Sequence, residues 1–317
     1  MTWLLIAFIA PILWAAVTLL DTYFVNSVYT DAVDGAVISG LFQSLPWLLV
    51  LLGLIEFGYP GNAAAIYALA AGALFLLAFL AYFKALFIAN DGALMELIWN
   101  LNVLVVPFLA WLLIGERLEP AHYAGIGLAF AGLAGFAFDV GVQTRQARQI
   151  ALTMLAAVVA LALSMVASKQ AYQLAASIRL AGGDDFWSIF LLFCAGASAT
   201  SILLLTMRGP AHAGMQARRV IHLSRRYFLV FLLAETLSLL GTLASQRAIS
   251  LAPSVSFVVV IESLVPVFVM GASLLLAARF RIAGQHELAA AYRAQFSNPG
   301  RKTLALAMIA SGIYVIS

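Results

Sequence analysis

The sequence predicts an all-α polytopic membrane protein, with ten transmembrane helices arranged as two inverted five-helix repeats. Three observations carry that prediction. The chain of 317 residues is 64% hydrophobic and 10% charged, with a mean hydropathy of +1.03, whereas soluble domains run near 25% charged. Apolar runs long enough to cross a bilayer alternate with short polar loops along the whole chain. A gapless shift of 163 residues lays one helical hairpin on another: Ala85 on Ala248, Ala89 on Ala252, Leu101 on Leu264, Val106 on Val269, and Leu112-Leu113 on Leu275-Leu276.

The polar positions are carried over too. Lys84 falls on Arg247, Trp99 on Glu262, and Asn100 on Ser263. A second alignment, shifted by 149 residues, puts Val17 on Val166 and Tyr23 on Tyr172, so the first and sixth spans correspond. The two copies cover roughly 1–141 and 149–317. Because five is odd, the second copy sits upside down, and inverted repeats of that kind are a transporter architecture.

The spans are expected at roughly 2–24, 35–55, 62–88, 92–114, 119–139, 150–176, 185–207, 226–248, 252–277 and 301–317. Turn-forming stretches separate them, among them Asp31 to Gly35, Tyr59-Pro60-Gly61-Asn62, Gly182 to Asp185 and Asn298-Pro299-Gly300. Span 1 has no basic residue ahead of it and is too long for the apolar region of a signal peptide, so it reads as a membrane span. One of its faces carries Trp14, Thr18 and Asp21.

Span 4, from Gly92 to Ile114, has 23 residues, enough at 1.5 Å per residue to cross a core of about 30 Å. Steps of three or four line up Glu96, Trp99, Asn100, Val103, Pro107 and Trp111, a face expected to turn away from lipid. Lys84 and Glu96 flank the turn at Asn90-Asp91-Gly92 at similar depth. They form a structural ion pair, or else Lys84 and Arg247 stand at opposite ends of a central cavity and attract an anionic group. Span 5 repeats small residues from Ala124 to Gly135, and span 10 has Ala307 with Ser311. Such residues suit close helix packing, and a homodimer seam is the sharper alternative.

In span 6, Lys169 is a further intramembrane candidate. Span 8 carries the row Glu235, Ser238, Thr242 and Ser245, which the repeat sets against Gly72, Phe75, Phe79 and Tyr82 of span 3. One wall of a central cavity would then be polar and the other aromatic, suiting a substrate with an apolar body and a polar end. The competing account bonds those hydroxyls to their own helix carbonyls. In span 9, Glu262 lies four residues before Pro266, whose missing N–H leaves backbone polarity beside the carboxyl group. Glu262 is either a proton-carrying or substrate-binding group, or a protonated acid bonded to a neighbouring helix. Seven charges within spans, facing lipid, would cost roughly 20 kcal/mol on insertion scales; they are expected to meet one another or to line water.

Lysines and arginines outside the spans number 12 in loops after odd-numbered spans and 2 after even-numbered ones. The positive-inside rule then places the odd loops in the cytoplasm and both termini outside. The stretch from Gln285 to Phe296, with Leu288, Tyr292 and Phe296 in step, is expected as a short helix on the cytoplasmic face, regulatory or a passive linker. The net charge of +3 and pI near 9.1 are topology signals, not a nucleic-acid footprint. A single cysteine, Cys194, excludes an internal disulfide and any cysteine metal cluster. His122, His212, His222 and His286 fall in loops or at span ends, and no hydrolase or metalloprotease motif lies in a span. No enzyme, cofactor or metal is therefore expected; the partners are the bilayer, a small-molecule substrate and a homodimer mate. A non-transporting membrane subunit or receptor is the alternative, disfavoured because a scaffold has little reason to keep carboxylates in its spans.

Leu113-Ile114-Gly115-Glu116-Arg117-Leu118, followed by Gly125-Ile-Gly-Leu-Ala-Phe-Ala-Gly132, resembles the fourth-to-fifth-span signature of the drug/metabolite transporter superfamily, EamA-like branch. Trp14 to Tyr23 and Ala248 to Pro266 resemble it as well. The resemblance implies ten helices, a central cavity lined by spans 1, 3, 4, 6, 8 and 9, and transport of small metabolites, often export, across the cell (inner) membrane. The chain departs from that pattern at Arg279, at Val103 and in an insert before span 10. Glu262, Glu235 and Glu96 motivate a proton-coupled mechanism.

Overall fold

The structure, a computed structural model, describes residues 2–89, 95, 98–137, 144–177, 185–206, 210–282 and 299–316. Among these residues the regular structure is helical, with no strand. In order the helices are α1 (Thr2–Ala7), α2 (Ile9–Ser27), α3 (Ala32–Phe42), α4 (Trp47–Leu51), α5 (Asn62–Ala89), α6 (Asn102–Ile114) and α7 (Pro120–Ala137). There follow α8 (Thr144–Ser177), α9 (Asp185–Thr206), α10 (Pro210–Arg226), α11 (Phe228–Leu251), α12 (Val255–Glu262), α13 (Val265–Ile282) and α14 (Pro299–Ile316).

Seven stretches are long and apolar enough to cross a membrane: Thr2–Ser27, Ala32–Leu51, Asn62–Ala89, Arg148–Ser177, Asp185–Thr206, Phe228–Leu251 and Val255–Arg279. The chain is a polytopic helical membrane protein. Large apolar side chains such as Leu51, Leu229 and Leu275 stand exposed on its outer surface, where water would penalise so broad an apolar surface and lipid does not. Of the remaining expected spans, α6 is apolar but short, and α7 and α14 carry their glycines, His122, Arg301 and Lys302 within 18 residues each. The stretch Gln285 to Phe296 and the residues Asn90 to Leu94, Glu96 and Leu97 lie outside the described residues.

Proline sets several of the interruptions. Pro11 cannot donate to the carbonyl of Ala7, and the first span breaks at Phe8. Pro46 stands four residues after Phe42, where α3 stops, and the second span resumes as α4. The stretch Asp31 to Gly35, expected as a loop, instead opens α3. Asp31 accepts the amide of Val33 at 3.1 Å, an N-cap that the loop composition concealed. Span 4 is expected as one helix but breaks at Asn100–Leu101, and span 9 breaks at Ser263–Leu264. At both, bonds tighten to the i→i+3 pattern, as in Leu101 N–H to the Ile98 carbonyl and Leu264 N–H to that of Ile261, each 3.0 Å.

The most extensive packing is α5 on α8, followed by α14 on α7, α9 on α5 and α11 on α2. Glycine makes two of these approaches possible. A Cβ on Gly72 would lie 1.8 Å from the Phe193 carbonyl oxygen, and one on Gly196 would lie 2.1 Å from that of Leu69, so α5 and α9 cross backbone to backbone. Between α7 and α14, Cβ atoms on Gly125 and Gly132 would meet the carbonyl oxygens of Gly312 and Ala305 at 2.9 and 2.6 Å. The face of span 5 that carries Gly125 and Gly132 is therefore covered by span 10 of the same chain, while Ala124, Gly127 and Ala131 stay exposed.

Two polar anchors hold the ends. Asp34, fully buried, receives Arg219 of α10 through Nε at 3.0 Å and Nη2 at 2.6 Å, and the Thr30 hydroxyl at 3.0 Å. This seats the basic helix α10 against the start of α3. At the opposite turn, between α11 and α12, Lys169 Nζ donates to the carbonyls of Ile249 (3.1 Å) and Ala252, groups that a helix end leaves unsatisfied. Glu116, positioned by the left-handed Gly115 (φ 69°) that ends α6, accepts the hydroxyls of Ser254 and Ser256 and the Val255 amide at the start of α12.

Two outcomes are expected. Gly196→Leu forces α5 and α9 apart and costs at least about 1–3 kcal/mol, read as a lower melting temperature and loss of the monodisperse peak on size exclusion; an unchanged profile would disprove the crossing. Lys169→Met strips charged donors from two buried carbonyls and costs about 1.5–3 kcal/mol, whereas Lys84→Met, at an exposed side chain, changes stability by less than about 0.5 kcal/mol. The reverse order in melting temperature would count against the Lys169 anchor.

Candidate functional site

A central cavity of about 70 Å³ is lined by six of the spans. Helix α2 supplies Trp14, Val17, Thr18 and Asp21; α5 supplies Phe75, Phe79 and Tyr82; α8 supplies Leu161, Ser164 and Met165; and α11 supplies Thr242, Ser245 and Gln246. Each set follows the three- and four-residue steps of one helix face. The two broken spans complete the wall, with Trp99, Asn100 and Asn102 from span 4 and Val259, Glu262, Ser263 and Val265 from span 9. Both breaks thus face the cavity, where irregular backbone is tolerated at membrane depth.

One part of the wall is aromatic. Trp99 meets Tyr82 and Phe79 edge-on, with centroids 5.3 and 5.8 Å apart, and Phe79 packs on Phe75 at 4.8 Å. Trp14 rests against Gly241, where a Cβ would come within 2.6 Å of the indole nitrogen, and that nitrogen has no hydrogen-bond partner in the protein.

The rest is polar. Glu262 is 7% exposed; Ser245 hydrogen-bonds its carboxyl group, while Oε1 has no partner. Ser263 next to it turns back to the Val260 carbonyl at 2.6 Å. Asn102 donates through Nδ2 to the Trp99 carbonyl at 2.8 Å, which stabilises the break, and leaves Oδ1 without a partner. Gln246 accepts from the Tyr172 hydroxyl and donates to Ser168, both at 3.2 Å, so its amide is fixed by α8.

The cavity therefore brings together Trp14, Asp21, Trp99, Asn100, Glu262 and Ser263. It does not bring in the other described candidates. Glu235 lies outside the wall, buried between α11 and α3, where it accepts the Ser39 hydroxyl at 2.8 Å. Of its row only Thr242 and Ser245 reach the cavity, and the Thr242 hydroxyl donates to the Ser238 carbonyl at 2.9 Å. Lys84 is exposed on the outer side of α5, and Arg247 places its guanidinium 4.7 Å from the Phe186 ring centre. Neither stands at an end of the cavity, because both point off the helix faces that line it. Trp111 is 49% exposed, although Val103 and Pro107, earlier on the same helix face, are buried. Glu96 lies outside the described residues.

Sequence reasoning missed Gln246, Ser164 and the unpartnered amide oxygen of Asn102. The signal for Gln246 was its place four residues after Thr242, passed over for its neighbour Ser245. Ser164 bonds the Ala71 carbonyl of α5 at 2.7 Å, a role no single-helix pattern announces. Among the described residues no group of three or more His, Cys, Asp or Glu could hold a metal.

No protein-family model matches the chain, and no curated protein does. Solved structures do match in fold: one crystal structure, described only as that of a protein, is 20% identical and superposes with a TM-score of 0.61 over 100% of this chain and 96% of that one. At that identity the likeness is one of fold, and it spans the whole helical bundle.

Proposed function

We propose that this chain is a secondary transporter of the EamA-like drug/metabolite kind, with ten spans in two inverted repeats, moving a small metabolite across the inner membrane by alternating access. The cavity carries the proposal: a central chamber in a membrane protein, with aromatic rings on part of its wall and a buried carboxyl with an unpartnered oxygen on another. A scaffold needs no such chamber, and a rocking transporter does.

The packing supports the repeat. Exchanging the two halves turns α5 on α8 into α11 on α2, and α6 on α8 into α13 on α2; the pairs α3 with α9 and α7 with α14 return to themselves. Five residue pairs related by the shift of 163 lie on the one cavity: Phe79 and Thr242, Tyr82 and Ser245, Trp99 and Glu262, Asn100 and Ser263, Asn102 and Val265. For the first and sixth spans the lining positions Trp14, Val17 and Thr18 keep step with Leu161, Ser164 and Met165, a shift of 147 residues that fits the walls better than 149. Discontinuous helices at mid-span, here at Asn100–Leu101 and Ser263–Leu264, are where such transporters build their sites.

The basic face of α10, including Arg219, Arg225 and Arg226, lies in the cytoplasm in this reading. Proton coupling runs through Glu262. The test is flux in proteoliposomes, with the substrate found by thermal shift, where stabilisation follows RT ln(1 + [L]/Kd). Glu262→Gln is expected to melt like the wild type and to lose flux by at least about tenfold, and a pH gradient is expected to drive wild-type flux. Undiminished flux in the variant would remove Glu262 from the site; flux indifferent to the gradient would remove the proton.

A further inference from the structure

We propose that the cavity selects organic cations, specifically a protonated amine on an apolar or aromatic body. The inference rests on the transport role proposed above and names the substrate class of that site. It begins with charge. The charged side chains among the described lining residues are Asp21 and Glu262, both acidic, and no Lys, Arg or His is with them. The intramembrane basic groups are engaged or turned away: Lys169 on two helix carbonyls, Arg247 on the Phe186 ring, and Lys84 on the outer surface. An anion entering this chamber would be desolvated with no positive partner, and a carboxylate of a zwitterion would meet the same penalty.

Hydrogen-bonding capacity points the same way. Glu262 is 7% exposed with Oε1 unpartnered, and Asn102 is 2% exposed with Oδ1 unpartnered while its amide N–H already serves the Trp99 carbonyl. These two open groups are acceptors; the third unpartnered polar atom on the wall, the Trp14 indole nitrogen, is a donor packed against Gly241. The complement of the two acceptors is a donor without acceptor capacity, which describes an ammonium group. The rings complete the match, since Trp99, braced edge-on by Tyr82 and Phe79, offers both apolar area for the substrate body and a π-face that attracts cations within about 6 Å.

The experiment is equilibrium binding of tritiated phenethylamine to the purified full chain at neutral pH, with phenylacetate and phenylalanine as competitors of similar body and different charge, followed by counterflow in proteoliposomes. Phenethylammonium is expected to bind at least about tenfold more tightly than either competitor, and Glu262→Gln and Trp99→Leu each to weaken it by about tenfold. Equal or better competition by phenylacetate or phenylalanine overturns the inference, as does no binding of the amine, and neither result needs a folded variant. Counterflow of phenylalanine or phenylacetate without amine binding overturns the inference and leaves transport standing. Amine binding without counterflow does the reverse.

Discussion

A bilayer core has no water to satisfy a backbone N–H or carbonyl, and the rest of this molecule follows from that constraint. Helices can be interrupted only where protein or a cavity receives the freed groups. The described interruptions obey this. At Asn100–Leu101 the side chain of Asn102 takes the Trp99 carbonyl, and at Ser263–Leu264 the hydroxyl of Ser263 takes that of Val260. Between α11 and α12, where a whole connection must be made, Lys169 serves the carbonyls at one side and Glu116 the donors at the other. Opposite charges thus cap opposite helix ends, as the helix dipole favours.

The same absence of water removes the hydrophobic drive between helices, so close packing must hold them. Glycine supplies it where two spans cross with no room for a Cβ, at Gly72 and Gly196 and again along α7 and α14. These contacts bring α5 onto α9 and α7 onto α14, while another face of α5, with Phe75, Phe79 and Tyr82, lines the cavity.

Much of this was legible in the sequence. Hydropathy located the long spans, and three- and four-residue spacing placed Trp14, Asp21, Trp99, Asn100, Glu262 and Ser263, which the fold gathers on one cavity. What failed was rotation about the helix axis. Lys84 and Lys169 look alike as basic residues inside apolar runs, yet one is exposed and the other buried on helix carbonyls. Their fates depend on which neighbour covers each face, and periodicity within one helix does not contain that. On the expected stripe of span 4, Val103 and Pro107 are buried past the break, and only at Trp111, one turn further on, does the face become exposed. Asp31 was read as loop composition although the same residue type is a preferred N-cap.

Glu235 and Glu262 show most clearly how surroundings, and not residue type, decide a role. Both are carboxyl groups in apolar spans and both are buried. Glu235 sits where α11 meets α3, bonded to Ser39 and one turn from the ring of Phe231, which packs on Phe24 and Tyr29. It joins two helices, and no wall of the cavity includes it. Glu262 is held by Ser245 but keeps one oxygen without a partner, beside a helix break that Pro266 cannot repair because it has no N–H to give. A buried acceptor left open loses free energy relative to a satisfied one, so an arrangement that retains it must recover that loss in some other state of the protein. Occupation by a donor from outside the chain is such a state, and Glu262, not Glu235, stands where a donor can arrive.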